Sequence, residues 1–109
     1  MEQPDNWIVL KIDGEDPHYR VLAGWSGGYA TGDSWKLNSG IVKVIDDGDA
    51  YIFEGTSGSK YLCHKGSYTL RMNNAHIFDK LKDIHGDNVS IVDEDTEWID
   101  MDWIITNGK

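Results

Sequence analysis

The chain predicts an α+β fold: a mainly antiparallel β-sheet of about six to seven strands, with one α-helix over residues 74–85 packed on one face. Three observations point there. Short runs rich in Val, Ile, Tyr and Trp recur along the chain, the composition of pleated, half-buried strands. Twelve glycines fall between these runs, as the punctuation of tight turns. One stretch carries its apolar residues at helical spacing instead.

Trp7 to Ile12 reads Trp-Ile-Val-Leu-Lys-Ile. It is almost continuously apolar, so both faces of this strand are expected to be covered. Gly14 to Pro17 is a turn, and Tyr19 to Trp25 returns as the second half of a hairpin. Gly24, Gly27, Gly28 and Gly32 then mark an irregular loop that contains Tyr29. Ile41 to Ile45 is a β-branched strand with Val42 and Val44 on one face. Asp46-Asp47-Gly48-Asp49 is a hairpin turn, because Asp-Gly supplies the positive φ angles of the tight types. Ala50 to Glu54 returns, Gly55 to Ser59 turns again, and Lys60 to His64 completes a three-stranded antiparallel meander. Asn74 is placed to cap the helix. Ile77, Leu81 and Ile84 form its apolar stripe, Phe78 lies beside them, and Gly86 is placed to stop it. Val89 to Val92 is a short strand. Trp98 to Ile105 reads as a last strand, with Ile99, Met101, Trp103 and Ile105 on one face and Trp98, Asp100, Asp102 and Ile104 on the other.

At 109 residues this is a single domain, residues 1–109, with no room for a second independent core. Apolar residues are 39%, and five Trp, five Tyr and two Phe supply much of the buriable area. A disordered chain of this acidity has few aromatics. The net charge is −9, and it is unevenly placed. Residues 1–55 carry 10 acids and 4 bases, residues 56–92 carry 3 acids and 5 bases, and residues 93–109 carry 6 acids and 1 base. Such a chain repels nucleic acid and anionic membrane and attracts basic proteins. Cys63 is the single cysteine, so no intrachain disulfide forms. The acidic start Met-Glu-Gln-Pro-Asp is not expected to act as a signal peptide, and no apolar run has the length of a membrane span. A cytoplasmic protein is expected, bacterial or made by a virus inside its host.

No catalytic constellation stands out. The histidines His18, His64, His76 and His85 have no metal-ligand spacing, and no Cys-x-x-Cys occurs. Cys63 and His64 are adjacent, so on a strand they face opposite ways. Asp46-Asp47-Gly48-Asp49 resembles part of a calcium loop, but the rest of that pattern is missing. Ser26 lies outside any Gly-x-Ser-x-Gly elbow, and no glycine-rich run precedes the helix to cradle a phosphate. No metal, cofactor or catalytic residue is therefore assigned.

Two segments are candidate contact surfaces. One is the loop with Trp25, Tyr29, Asp33 and Trp35. It is either a glycine-rich turn whose tryptophans pack inward or an aromatic surface that grips a protein or a sugar. The other holds Asp93, Glu94, Asp95, Glu97, Asp100 and Asp102, with Trp98 as an apolar anchor among them. On a strand, Asp100 and Asp102 would share a face about 6.6 Å apart. That is comparable to the phosphate spacing along a nucleic-acid strand, so the row could occupy a groove built for a phosphate backbone. It could equally be a solvated edge that discourages aggregation.

The stretches Tyr19-Arg20-Val21, Gly24-Trp25-Ser26-Gly27-Gly28-Tyr29, Gly32-Asp33-Ser34-Trp35, Asn38-Ser39-Gly40-Ile41 and Tyr61-Leu62-Cys63-His64-Lys65 resemble small accessory proteins of phages and prophages. The likeness covers roughly residues 7–85 and implies no catalytic residues. It implies a host-directed inhibitor, of the kind that blocks restriction or CRISPR machinery. The expectation is a phage-type binding protein that inhibits a basic, nucleic-acid-handling host protein. The alternatives are a self-assembling phage module and a small sugar-binding or hydrolase domain.

Overall fold

The computed structural model describes residues 1–14, 16–26 and 34–103. Among these are seven strands in two antiparallel sheets and one α-helix. The first sheet contains β1 (Asn6–Ile12), β2 (His18–Trp25), β3 (Ser34–Leu37) and β7 (Val89–Ile91), in the order β3-β2-β1-β7. The second is the expected meander of β4 (Ile41–Asp46), β5 (Ala50–Gly55) and β6 (Lys60–His64). The helix, α1, spans Met72–His85.

The four-stranded sheet is covered on both faces, and β1 shows why. Its alternate residues serve two different cores. Ile8, Leu10 and Ile12 join Leu22, Val89 and Ile77 of the helix in an aliphatic cluster. Trp7 and Val9 point the other way, to Phe53, Tyr61 and Cys63 of the meander, in a cluster rich in aromatic rings. The nearly unbroken apolar run of the sequence is thus a strand between two layers.

The helix begins two residues before the expected start. Asn74 is its third residue, and it caps in reverse: its Oδ1 accepts the backbone N–H of Arg71 at 3.0 Å. The same oxygen accepts Asn6 Nδ2 at 3.2 Å, so the buried amide also ties the helix to β1. Ile77 is buried and Phe78 and Leu81 are half-buried against the sheet. Ile84 is not part of that stripe; it is 74% exposed. Gly86 ends the helix with φ +59.

Three further expectations change. The segment after the glycine-rich loop is a strand, β3, whose Trp35 pairs with Gly24 and whose Leu37 pairs with Leu22. In β4 a register shift between Ile41 and Lys43 breaks the alternation, so Ile41 and Val44 both face the aromatic core while Val42 does not. The predicted last strand, Trp98 to Ile105, does not form over its described part. Trp98–Asp100 is a turn and 101–103 is irregular, while Ile104 and Ile105 lie outside the described residues. The predicted alternation fails with it. Trp98 and Trp103, assigned to opposite faces, are both buried, and Ile99 is half exposed.

In the β4–β5 hairpin only Gly48 takes a positive φ, at +78. The turn is held by Asp46 Oδ1, which accepts the Gly48 N–H at 3.0 Å.

Candidate functional site

The acidic segment leaves β7 as a strap across the side of the aromatic core. Its root is set by hydrogen bonding along β1. The outer edge of β1 is served by two different segments. Trp7 O accepts the Thr69 N–H at 3.0 Å, and Val9 O accepts the Val92 N–H at 2.9 Å. Between these two partners the Val9 N–H would have none. The Tyr68 hydroxyl accepts it at 3.1 Å and donates to the Val92 carbonyl. A side chain therefore replaces a strand at that point. Burial raises the Tyr68 hydroxyl pKa to about 12, with the Val9 N–H opposing the rise and Glu94 and Asp93 adding to it.

Beyond Val92 the strap turns twice. The Asp93 carbonyl accepts both the backbone N–H of Thr96 at 3.1 Å and its hydroxyl at 2.6 Å. The Glu97 carbonyl accepts the Asp100 N–H at 3.0 Å. Two indoles then pin the strap down. Trp98 lies against Trp7, Phe53 and Tyr68 with ring centroids 5.8, 5.9 and 5.7 Å away. Trp103 stacks on Trp98 at 5.9 Å with a 7° angle between the planes, and its Nε1 donates to the Trp98 carbonyl at 3.0 Å.

With the indoles turned inward, the carboxylates face water. Asp93, Glu94, Asp95, Glu97, Asp100 and Asp102 are all exposed. None makes an ion pair among the described residues. Trp98 is the structural pin of this surface and not its apolar contact, because it is 3% exposed. The evenly spaced row expected for Asp100 and Asp102 is absent, since these residues lie in a turn and in irregular chain.

The second expected surface is only partly described, for Tyr29 and Asp33 lie outside the described residues. Trp25 and Trp35 lie on neighbouring strands and line a shallow cleft of about 300 Å³ with Glu2, Ser34 and Lys36. Trp25 Nε1 donates to Gln3 O at 3.0 Å, and Lys36 pairs with Glu2. Trp35 is 43% exposed. The structure thus divides the two tryptophans between structure and surface.

Among the described residues, no Lys or Arg of the basic middle forms an ion pair with the strap. Lys65 pairs with Asp46 at 2.9 Å and sits over the Tyr51 ring at 4.7 Å. The proximity of Lys65 holds the Asp46 carboxyl below its ordinary range. Cys63 is buried and its thiol pKa is pushed up by desolvation, whereas His64 is exposed. The two point apart, as their adjacency on a strand requires. Among the described residues no three or more His, Cys, Asp or Glu side chains gather to hold a metal ion. No described helix is long and apolar enough to cross a membrane.

The chain matches no family model, no curated protein and no solved structure.

Proposed function

We propose that this is a binding protein whose acidic strap docks on a basic, nucleic-acid-handling surface of a host protein and competes there with nucleic acid. The observation that carries it is the state of the six carboxylates: exposed, without ion pairs among the described residues, and displayed on backbone that two buried indoles fix in place. Like charges gathered this way repel one another, and a cationic partner relieves that repulsion. Fixing the backbone in advance also reduces the ordering cost on binding. A surface that handles nucleic acid is basic and open, and it suits an acidic partner for the same reason that it suits phosphate. The resemblance to phage accessory proteins favours a host-directed inhibitor within this class. Recognition here rests on charge density and not on a phosphate-like repeat.

The test is capture from host lysate on the immobilised protein at low ionic strength. A retained basic protein that is displaced by duplex DNA supports the proposal. Its retention should fall steeply between about 0.1 and 1 M salt, as the screening length shrinks from about 10 to about 3 Å. It should also fall on combined Asp100→Lys and Asp102→Lys substitution. Retention unchanged by both salt and charge reversal sinks the idea.

A second reading, self-association, is favoured by β3. It is an edge strand that carries the exposed Trp35, and exposed edges template pairing with another chain. A strict monomer in sedimentation at high concentration ends that reading.

A further inference from the structure

A cleft of about 450 Å³ is lined by none of the strap's carboxylates. It opens where β2 outruns its neighbour. Strand β3 pairs only with Leu22–Trp25, so the start of β2 faces the segment leading into β4 across a gap. Arg20 lines this gap with His18, Ile41, Thr56 and Trp103, and Asp16 stands beside them.

Arg20 is the unusual group. Its Nε is buried and has no hydrogen-bond partner, and the residue is in no ion pair among the described residues. This occurs in a chain with 19 acids and 10 bases, where a carboxylate partner would be easy to supply. A buried donor left unsatisfied is unfavourable. The cleft beside Arg20 is many times the roughly 30 Å³ share of a single water, so it has room for a ligand at the rest of the guanidinium. The other walls divide by chemistry. Trp103 spends its Nε1 on the Trp98 carbonyl, so what remains of its ring is apolar surface beside buried Ile41. The Thr56 hydroxyl donates to Ser39 O at 3.3 Å. His18 Nδ1 donates to the Asp16 carbonyl at 2.8 Å, which holds the ring in the wall of the cleft. The exposed Asp16 carboxylate repels an anion from its side of the cleft, leaving Arg20 as the place for one.

We propose that this cleft binds a small ligand with one oxyanion, carboxylate or phosphate, held by the Arg20 guanidinium, and an apolar body laid against Trp103 and Ile41. The planar fork of Arg suits both oxyanions. The site shares Trp103 with the anchor of the acidic strap but uses none of its carboxylates.

The test is an NMR titration of the full chain with phenyl phosphate and with benzoate, followed at backbone amides and indole N–H groups, with benzamide as the uncharged control. Saturable shifts are expected at His18, Arg20, Ile41 and the Trp103 indole, with a Kd of about 1 mM or tighter. Whichever probe binds more tightly identifies phosphate or carboxylate as the natural group. Arg20→Gln should weaken binding about tenfold or more. Arg20→Lys, which keeps the charge and loses the fork, should fall between the two and serves alone if Arg20→Gln disturbs the fold. The proposal is overturned if neither probe gives a saturable shift up to about 10 mM, well above that expected Kd. It is equally overturned if benzamide binds as well as benzoate, or if the substituted protein that remains folded binds as tightly as the parent.

Discussion

Replacing Tyr68 with Phe removes one oxygen and leaves a ring. That ring keeps its edge contact with Trp7 at 4.7 Å and its packing on Trp98 at 5.7 Å. What is lost is the acceptor for the Val9 N–H and the donor to the Val92 carbonyl. Val9 is fully buried, so its N–H finds no water in exchange. An unsatisfied buried group costs about 1–3 kcal/mol. The half-buried Val92 carbonyl stands at the low end of that range. Together the two place the loss at about 2–4 kcal/mol, against a total of about 5–15 kcal/mol for an ordinary domain. Urea unfolding followed by tryptophan fluorescence reads the loss directly, and the Tm should drop by about 8–16 °C. Alkaline titration supplies a second signature. The hydroxyl pKa is raised to about 12 in the folded chain, and an unfolded tyrosine ionises near about 10. The stability contributed by the neutral hydroxyl is therefore intact below about pH 10 and is lost as the pH rises through about 12. The parent should weaken over that window, and Tyr68→Phe should weaken less. A stability loss under about 0.5 kcal/mol would refute the account of the hydroxyl as a substitute strand, because that is the scatter of neutral surface changes.

Two other outcomes follow from the packing. Gly55→Ala places a methyl 2.8 Å from Ser39 Oγ, 2.9 Å from Ser59 Oγ and 3.3 Å from Asn38 Nδ2. Overpacking of this kind should cost about 1–3 kcal/mol in urea unfolding, whereas Gly66→Ala, which meets nothing within 4 Å, should be close to neutral. Cys63 is fully buried with its thiol pKa raised by desolvation, so an aromatic disulfide reagent should label it only as fast as the domain opens. Rapid labelling under native conditions would contradict that burial.

Much of the fold was legible because the signals were local. The Trp7 to Ile12 run declared a strand covered on both sides, and the Asp-Gly turn and the following apolar runs declared the meander. The failures were tertiary. Residues 98–105 alternate as a strand should, yet an aromatic core had room for two indoles from one short segment, and stacking Trp103 on Trp98 required a turn between them. Ser34 to Leu37 was hidden because two of its four residues, Ser34 and Lys36, are polar, as an edge strand permits. The exposure of the strap's carboxylates followed from charge alone. Arg20, without an ion pair among the described residues, did not: nothing in Tyr19-Arg20-Val21 signals that the next strand ends too soon to cover it.

The two-faced strand β1 carries a further consequence. Trp7 and Val9 enter a core of aromatic rings, and Ile8, Leu10 and Ile12 a core of aliphatic chains. A slip of one residue would exchange the two sets, driving Trp7 toward the helix and withdrawing it from the rings around it. Because the cores differ in shape as well as side, β1 has a single admissible register. The two layers share this strand, so they should unfold in one transition.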